Sequence, residues 1–583
     1  MTIFSVITLI GGLAFFLYGM SVMSDGLERM SGGKLERSLK KLTSNPFKSL
    51  LLGAGITIAI QSSSALTVML VGLVNSGIIN IGQTVGVIMG SNIGTTLTAW
   101  LLSLVGIETD NVWIKLLKPE NFSLIFAFIG ILLIMLSKKA KRKDIGAIFV
   151  GFAVLMFGME LMGDAVSPLA DMPEFSSLLT AFENPILGVL VGAIFTGVIQ
   201  SSAASVGILQ TLALTGKITY GMAIPVIMGQ NIGTCVTALI SSIGVSRNAK
   251  KVAVIHVAFN LIGTALCLGI YYGLDSLFHF TFEDMTIGAL GVAAAHSIFN
   301  VVTTIMLLPF SKLLVKLANL ILPDSKKAAA QQPAALIDDR LLATPSVAIS
   351  ECDSLTSKMA NIARDTLYKA FATIGNYTEE GAKEIFDNED VLDRYEDELS
   401  TCLVKISADK ISDSDSKRVS KILHAIGDFE RLGDHAVNIL KVSKELYDKG
   451  ITFSESADKE LKVVIAALTE ILDLTTNAYK NNDLNVAANV EPLEQVIDGL
   501  VAEIKDNHIK RLQSGSCTIE MGFILSDLLN NCERVSDHCS NVAVSLIEIS
   551  HNTFDTHKYL NAVKYGNRRF NEVYDKYSTQ YSI

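Results

Sequence analysis

Residues 61–100 align with residues 200–239 without a gap and are identical at 19 of 40 positions, a fixed offset of 139. The same offset carries Gly19-Met20 onto Gly158-Met159, Asp25 onto Asp164 and Asn45-Pro46 onto Asn184-Pro185. Shared apolar bias cannot hold one register over so long a stretch, so the first 310 residues contain one unit twice. Long apolar runs lie near 5–24, 84–106, 121–137, 145–162, 221–243, 252–272 and 286–310. Most approach the roughly 20 residues needed to cross a hydrocarbon core of about 30 Å. Two more, 47–77 and 185–216, are broken at their centres by polar residues. Each of their arms, about 14 residues or roughly 21 Å of helix, is too short to span alone, which predicts re-entrant hairpins.

If each hairpin returns to its own side, one repeat holds three spans. Three is odd, so the second copy is inverted. Basic residues test this separately. Loop 25–46 carries five Lys/Arg, loop 138–143 five and loop 244–251 three, whereas 163–184 and 273–285 carry none and 107–120 carries two. The predicted topology has the N-terminus outside and the C-terminal region in the cytoplasm of a cell (plasma or inner) membrane. Residues 5–24 lack a basic n-region and an A-x-A site, and read as a retained helix. Inverted repeats with broken helices are the pattern of secondary transporters, a channel with re-entrant loops being the rival.

The 583 residues have a mean hydropathy of +0.41 and a net charge of −10, unevenly distributed. Residues 1–310 carry 17 Lys/Arg and 15 Asp/Glu; residues 311–583 carry 31 and 43. The acidic second half argues against nucleic acid, which needs a basic footprint. Seven cysteines without a CxxC pair suit a reducing compartment for that half.

The hairpin breaks read Gln61-Ser62-Ser63-Ser64-Ala65 and Gln200-Ser201-Ser202-Ala203-Ala204. Backbone leaves a helix inside a membrane only where protein or a wet cavity surrounds it. Free N–H groups at the start of each second arm, serine hydroxyls and the Gln amide then converge, a donor set suited to a small tetrahedral oxyanion. The tips hold no Arg or Lys, so co-transported cations would supply the missing charge. Gly90-Ser91-Asn92-Ile93-Gly94-Thr95-Thr96 recurs as Gly229-Gln230-Asn231-Ile232-Gly233-Thr234-Cys235. The neutral oxygens of Asn92, Thr95, Thr96, Asn231 and Thr234 suit sodium. Proton coupling would prefer a carboxylate, and none lies in the tips or in these segments; Glu160 is the nearest exception. The glycines spaced by four (Gly82, Gly86, Gly90, Gly94) also suit close helix packing. His256-x-x-x-Asn260 and His296-x-x-x-Asn300 place His and Asn on one helix face, where a hydrogen-bonding structural role outweighs a ligand role.

The duplicated Gln-Ser-Ser tips and Asn-Ile-Gly-Thr segments resemble the type II sodium-dependent phosphate cotransporter family over about residues 5–310. The resemblance implies sodium-coupled phosphate transport by an elevator-like or rocking fold. It makes Gln61, Ser62, Ser63, Ser64, Gln200, Ser201 and Ser202 the substrate site. Ala203, where the triple-serine form has a hydroxyl, departs from full symmetry.

A Lys/Ala/Gln/Pro stretch (326–335) reads as a linker. Beyond it, helical periodicity with almost no Pro is itself duplicated: 428–438 matches 531–541 as E-R-x-x-D-H-x-x-N. Glu430 and Asp434 lie one turn apart, as do Glu533 and Asp537, so a counter-charge is needed. Arg431 and Arg534 would supply it in a structural face. The alternative is a metal held between facing helices, with Asp397 and Asp498 as further ligands. These motifs resemble the phosphate-uptake regulator PhoU, a pair of three-helix bundles, and the resemblance favours a metal-capable site. Mg²⁺, Mn²⁺ or iron would suit the carboxylates.

The predicted architecture is all-α: repeat 1 over 1–138, repeat 2 and a final membrane helix over 139–316, a linker over 317–340 and a PhoU-like domain over 341–583. The expected activity is sodium-coupled phosphate symport with a regulatory domain. A phosphate exporter or channel, or a tethered sensor, are the rivals. The expected partners are inorganic phosphate, sodium, the lipid bilayer and a possible second copy of the chain. No P-loop, zinc motif or nucleophile constellation points to an enzyme.

Overall fold

The computed structural model describes residues 3–31, 45–77, 79–106, 119–168, 184–323, 336–408, 411–551 and 568–583. The loop charges within 32–44, 107–118 and 169–183, and the linker residues 324–335, lie outside the described residues. The chain is all-α among those residues, an isolated antiparallel bridge between Thr219 and Thr286 apart. It divides into two compact units, 1–334 with 338–347, and 335–337 with 348–583.

The first unit begins with α1 (Ile3–Ser31) and hairpin 1, formed by α2 (Pro46–Ile60) and α3 (Ser63–Asn75). Then come α4 (Ile81–Leu102) and α5 (Pro119–Leu136). The second copy follows as α6 (Ala140–Val166), hairpin 2 from α7 (Pro185–Ile199) and α8 (Ser202–Ala213), then α9 (Tyr220–Gly233), α10 (Cys235–Ser241) and α11 (Arg247–Phe278). Helices α12 (Ala289–Leu307) and α13 (Ser311–Ile321) complete the unit. Six stretches among the described residues are long and apolar enough to cross a membrane: α1, α4, α6, α9–α10, α11 and α12–α13. The hairpin arms have 15, 13, 15 and 12 residues, about 18–23 Å of helix, and fall short of a full crossing.

Local sequence builds both hairpins the same way. Asn45 and Asn184 cap the first arms, each accepting from the backbone N–H two residues on, with Pro46 and Pro185 at the first helical position, where a missing N–H costs nothing. Glycine then lets arms and spans touch through backbone. A Cβ on Gly53 or Gly90 would overlap α4 or α2, and one on Gly192 or Gly229 would overlap α9 or α7. Helices α1 and α6, the equivalent first spans, pack on each other through Gly12, Gly19, Gly151 and Gly158. Small residues let these helices approach closely where lipid supplies no hydrophobic drive.

A 3₁₀ turn (Asp339–Ala343) belongs to this unit. Asp338 accepts from Asn75 Nδ2 at the end of α3 (2.6 Å), and Arg340 donates to the Ser241 and Ile243 carbonyls past α10 (2.7 and 2.6 Å). Leu341 is fully buried against α3. The side chains thus satisfy helix-end carbonyls that would otherwise lack donors.

The second unit comprises α14 (Pro345–Thr373), α15 (Glu379–Ser407) and α16 (Asp413–Lys449), then α17 (Glu455–Asn481), the short α18 (Leu484–Ala487), α19 (Val490–Gln513), α20 (Ile519–His551) and α21 (Arg568–Gln580). The long helices form two three-helix bundles that meet along α16 and α20. Ser412 and Ser454 cap α16 and α17. Phe429 and Tyr479 pack edge to face, 5.4 Å apart, in the shared core. All seven cysteines are free thiols.

Candidate functional site

At each hairpin break the chain passes through left-handed backbone at a glutamine, φ 53° at Gln61 and 59° at Gln200. L residues other than Gly and Asn rarely adopt this conformation, and holding it costs of order 1 kcal/mol. At Gln61 the side chain has work to do: its Nε2 donates to the Ile58 carbonyl (2.8 Å) and its Oε1 accepts from Thr98 of α4 (2.7 Å). The following serines cap the second arms, Ser62 Oγ accepting from Ala65 N–H (3.1 Å) and Ser201 Oγ from Ala204 N–H (3.2 Å). Ser63, Ser64, Ser202 and Ala203 occupy the first positions of those arms, where N–H groups have no intrahelical acceptor and the positive end of the helix dipole points outward.

The two tips meet. One cavity of about 290 Å³ is lined by Gln61, Ser62, Ser63 and Ser64 from hairpin 1 and by Gln200, Ser201 and Ser202 from hairpin 2. All seven residues of the expected substrate site therefore share one space. Thr95 and Thr98 of α4 and Thr57 of α2 also line it. From α1 come Ser21, Ser24, Asp25 and Glu28, which the sequence did not single out as ligands. No Lys, Arg or His is among the described lining residues. Glu160 is exposed and lies outside this cavity. The missed carboxylates had a faint signal, since Asp25 is one of the positions repeated at offset 139.

The expected sodium ligands fall into two groups. Thr95 reaches the cavity; Asn92, Thr96, Asn231 and Thr234 are buried and are not among its lining residues. Thr95, Thr96 and Thr234 hydroxyls donate to carbonyls of their own helices (3.1, 2.7 and 2.6 Å), leaving oxygen lone pairs as what they can present. Asn260 bridges helices: it accepts from Asn92 Nδ2 (2.8 Å) while donating to the His256 carbonyl (3.1 Å). Asn300 donates likewise to the His296 carbonyl (2.8 Å). Because a carbonyl only accepts, Asn260 must turn its own oxygen to Asn92.

The second unit gathers its acidic residues in two places. Asp397 and Glu430 line a cavity of about 660 Å³ with Asp393, Glu396, His424 and Asp428. Burial, and then the neighbouring Asp434 carboxylate, raise the pKa of both Glu430 and Asp393 above the usual carboxylate range. In the other bundle Asp498 and Asp537 join Glu494, with one oxygen from each within 4.8 Å of the others. Burial raises the Asp537 pKa against the opposing pull of Arg534. Glu533 is drawn instead to Lys505 (3.4 Å). The arginines of the motif pair locally, Arg431 with Asp434 (3.3 Å) and Arg534 with Asp537 (3.5 Å). Asp393, Glu396 and Glu494 were missed because the longer E-R-x-x-D-H-x-x-N repeat drew the search to the helices that follow. A shorter signal was there to find, since Leu392-Asp393-x-x-x-Asp397-x-Leu399 of α15 recurs as Leu493-Glu494-x-x-x-Asp498-x-Leu500 of α19.

The two histidines of the motif lie between the bundles. His435 Nδ1 donates to Asn531 Oδ1 (2.8 Å) and His538 Nδ1 to Asp428 Oδ1 (2.9 Å), with ring centroids 5.4 Å apart. Burial holds the His435 pKa below its ordinary value.

Comparison with known proteins agrees with this architecture. The family described as "Na+/Pi-cotransporter" matches twice, over 15–164 and 154–282, and the "PhoU domain" matches twice, over 356–442 and 464–546. The chain is 31% identical over 313 residues to "Uncharacterized protein YqeW" of Bacillus subtilis, covering 53% of this chain and 96% of that protein. It is 23% identical over 561 residues to "Putative inorganic phosphate export protein YjbB" of Salmonella typhimurium, covering 93% and 97%. Over 107 residues it is 35% identical to "Sodium-dependent phosphate transport protein 2A" of Rattus norvegicus, covering 18% and 17%. A duplicated membrane half whose polar tips share one cavity, joined to a duplicated helical half, is therefore a phosphate transporter rather than an enzyme, and the chain belongs to the Na+/Pi-cotransporter family with a PhoU domain attached.

Proposed function

We propose that this protein is a sodium-coupled inorganic phosphate symporter whose cytoplasmic PhoU domain tunes flux. The observation that carries this reading is the single cavity formed by both Gln-Ser-Ser tips. Two helix N-termini and a ring of hydroxyls suit a tetrahedral oxyanion, and the absence of basic residues among the described lining leaves its charge to a co-bound cation. Gln61, Ser62, Ser63, Ser64, Gln200, Ser201 and Ser202 hold phosphate; Asn92, Thr95, Thr96, Asn231 and Thr234 serve sodium. Alternating access moves the hairpins against the remaining spans. The N-terminus lies outside and the C-terminal unit in the cytoplasm.

The carboxylates Asp397, Glu430 and Asp434, and Asp498, Glu533 and Asp537, would hold a divalent cation or iron, because hard oxygen donors gathered on facing helices suit such ions; Glu533 would join only by leaving Lys505. A metal there would lock facing helices of each bundle. The segment 338–341, fastened to the ends of α3 and α10, offers the PhoU domain a handle on hairpin 1. Arg340→Ala should change flux without changing phosphate affinity; unchanged flux would remove the handle.

Export is the second reading, favoured by the name of the Salmonella relative that matches along nearly its full length. Radiolabelled phosphate uptake into proteoliposomes, with and without an inward sodium gradient, separates the two. Sodium-dependent uptake is the expected result, and uptake indifferent to sodium points to export or facilitated flow.

A further inference from the structure

The hairpins are equivalent by duplication, yet one position differs in a way that packing does not explain. Thr57 of α2 and Thr196 of α7 stand at the same point of the two first arms, 139 residues apart. Thr196 donates its hydroxyl to Ser205 (2.7 Å). The residue matching Ser205 in the first copy is Leu66, which offers no acceptor. Thr57 Oγ1 is consequently without a hydrogen-bond partner, although the residue is only 2% exposed and lines the tip cavity. Buried hydroxyls nearly always find a partner, and other threonines of this unit, Thr67 and Thr211 among them, bond back to their own helix. An unsatisfied hydroxyl on a residue that lines a polar cavity points to a ligand.

Helix α1 places Asp25 and Glu28 on the wall of the same cavity. Their counterparts in the second copy are Asp164 and Ser167, neither of which lines it. Arg29, the adjacent cation on α1, is engaged with Asp144 of α6 at 2.8 Å. An oxyanion entering between the tips would meet the Asp25 carboxylate, and no basic side chain is among the described lining residues. Hard oxygen donors of mixed charge, from Asp25, Glu28 and Thr57, are the ligand set of a small hard cation.

We propose that Asp25, Glu28 and Thr57 form a cation site, built only in the first repeat, that holds a sodium ion against the bound anion. The site rests on the sodium-coupled reading above and is additional to the Asn-Ile-Gly-Thr ligands. Thr57 is the joint: its oxygen lone pair faces the cation while its hydrogen is free to donate to an oxygen of the phosphate. Each ion removes the electrostatic cost of the other, so neither occupies the cavity well alone. Coupling then follows from charge balance in one space.

The experiment uses the purified full-length chain. Radiolabelled sodium binding is measured in detergent, and phosphate uptake in proteoliposomes over a range of sodium concentrations, for wild type, Asp25→Asn, Thr57→Val, Thr57→Ser and Asp164→Asn. Asp25→Asn and Thr57→Val should each raise half-saturating sodium at least roughly tenfold, with a lower Hill coefficient for sodium. Thr57→Ser, which keeps the oxygen, and Asp164→Asn should track wild type. Wild-type sodium curves in both Asp25→Asn and Thr57→Val would overturn the site while leaving sodium coupling intact. Uptake driven by a proton gradient without sodium, and lost in Asp25→Asn, would also overturn it by making the carboxylate a proton carrier. Should wild-type flux ignore sodium, the symport reading fails; sodium binding that disappears in Asp25→Asn would still support the site, and no binding in wild type would overturn both. Thr57→Val preserves side-chain shape, so it remains decisive if Asp25→Asn does not fold.

Discussion

Hairpin 1 and hairpin 2 share an Asn-Pro start, a left-handed Gln at the break, a capping Ser and a glycine-mediated contact with the following span. They part company in what surrounds these common features. Gln61 is tied to Thr98 of α4, Ser64 is matched by Ala203, and Thr57 keeps an unused hydroxyl where Thr196 has spent its own on Ser205. Backbone geometry was retained in both copies because it places the two tips at one cavity. Side chains one layer out diverged, because two tips that share one cavity do not need the same neighbours twice.

The steepest test of the shared part is at the glycine contacts. Gly90→Ala and the equivalent Gly229→Ala each push a methyl group into the backbone of a hairpin arm, and should cost about 3 kcal/mol or more, read as loss of monodisperse protein or a lower melting temperature. A variant that tolerates the methyl group in one copy would break the equivalence of the hairpins. Next in size are the tip hydroxyls. Ser63→Ala and Ser202→Ala should each weaken phosphate binding roughly tenfold, about 1.4 kcal/mol, with little change in melting temperature. Equal losses of binding and stability would mean that the serines pack rather than bind. Ser64→Ala should matter less, since the second copy already carries Ala203 there.

A smaller effect separates the threonines. Thr196→Val leaves Ser205 without its donor and should destabilise by about 1 kcal/mol, whereas Thr57→Val breaks no bond and should leave stability nearly unchanged. The smallest expected effect lies in the other duplication. Burial and like-charged neighbours raise the folded-state pKa of Glu430 and Asp393, so the folded unit holds these protons more tightly than the unfolded chain does. That stabilisation is complete below the unfolded value of about 4 and is lost as pH rises through the raised values. Glu430→Gln should therefore raise the melting temperature by about 1–3 °C at neutral pH without added metal, and hardly at all near pH 4. Added Mn²⁺ should stabilise wild type more than this variant; equal response would place the ion elsewhere.

Much of the membrane half was legible in one dimension because helix spans and breaks are local events. Arm length against bilayer thickness implies re-entrance, and an odd number of spans implies inversion. The E-R-x-x-D-H-x-x-N repeat likewise announced a duplicated helical half, and its resemblance to PhoU implied paired bundles. What the pattern could not supply was neighbours. Asp25 and Glu28 sit on a helix that reads as an ordinary first span, and nothing along the chain places them on the wall of the same cavity as Thr57. Asp393, Glu396 and Glu494, neighbours of the expected Asp397 and Asp498, were not singled out for the same reason, nor was the turn of Glu533 toward Lys505 and away from the Glu494, Asp498 and Asp537 group.

By itself the sequence determined the two duplications, the polar tips and the donor chemistry they offer to an oxyanion. Those follow from period, spacing and residue type, which are properties of the chain. Only the tertiary structure decided that both tips share one cavity, that α1 brings carboxylates to its wall, and that one of two equivalent threonines has no partner. Each of these depends on which side chains from distant segments come within a few ångströms, and a repeat in sequence specifies equivalent backbones without specifying equivalent surroundings.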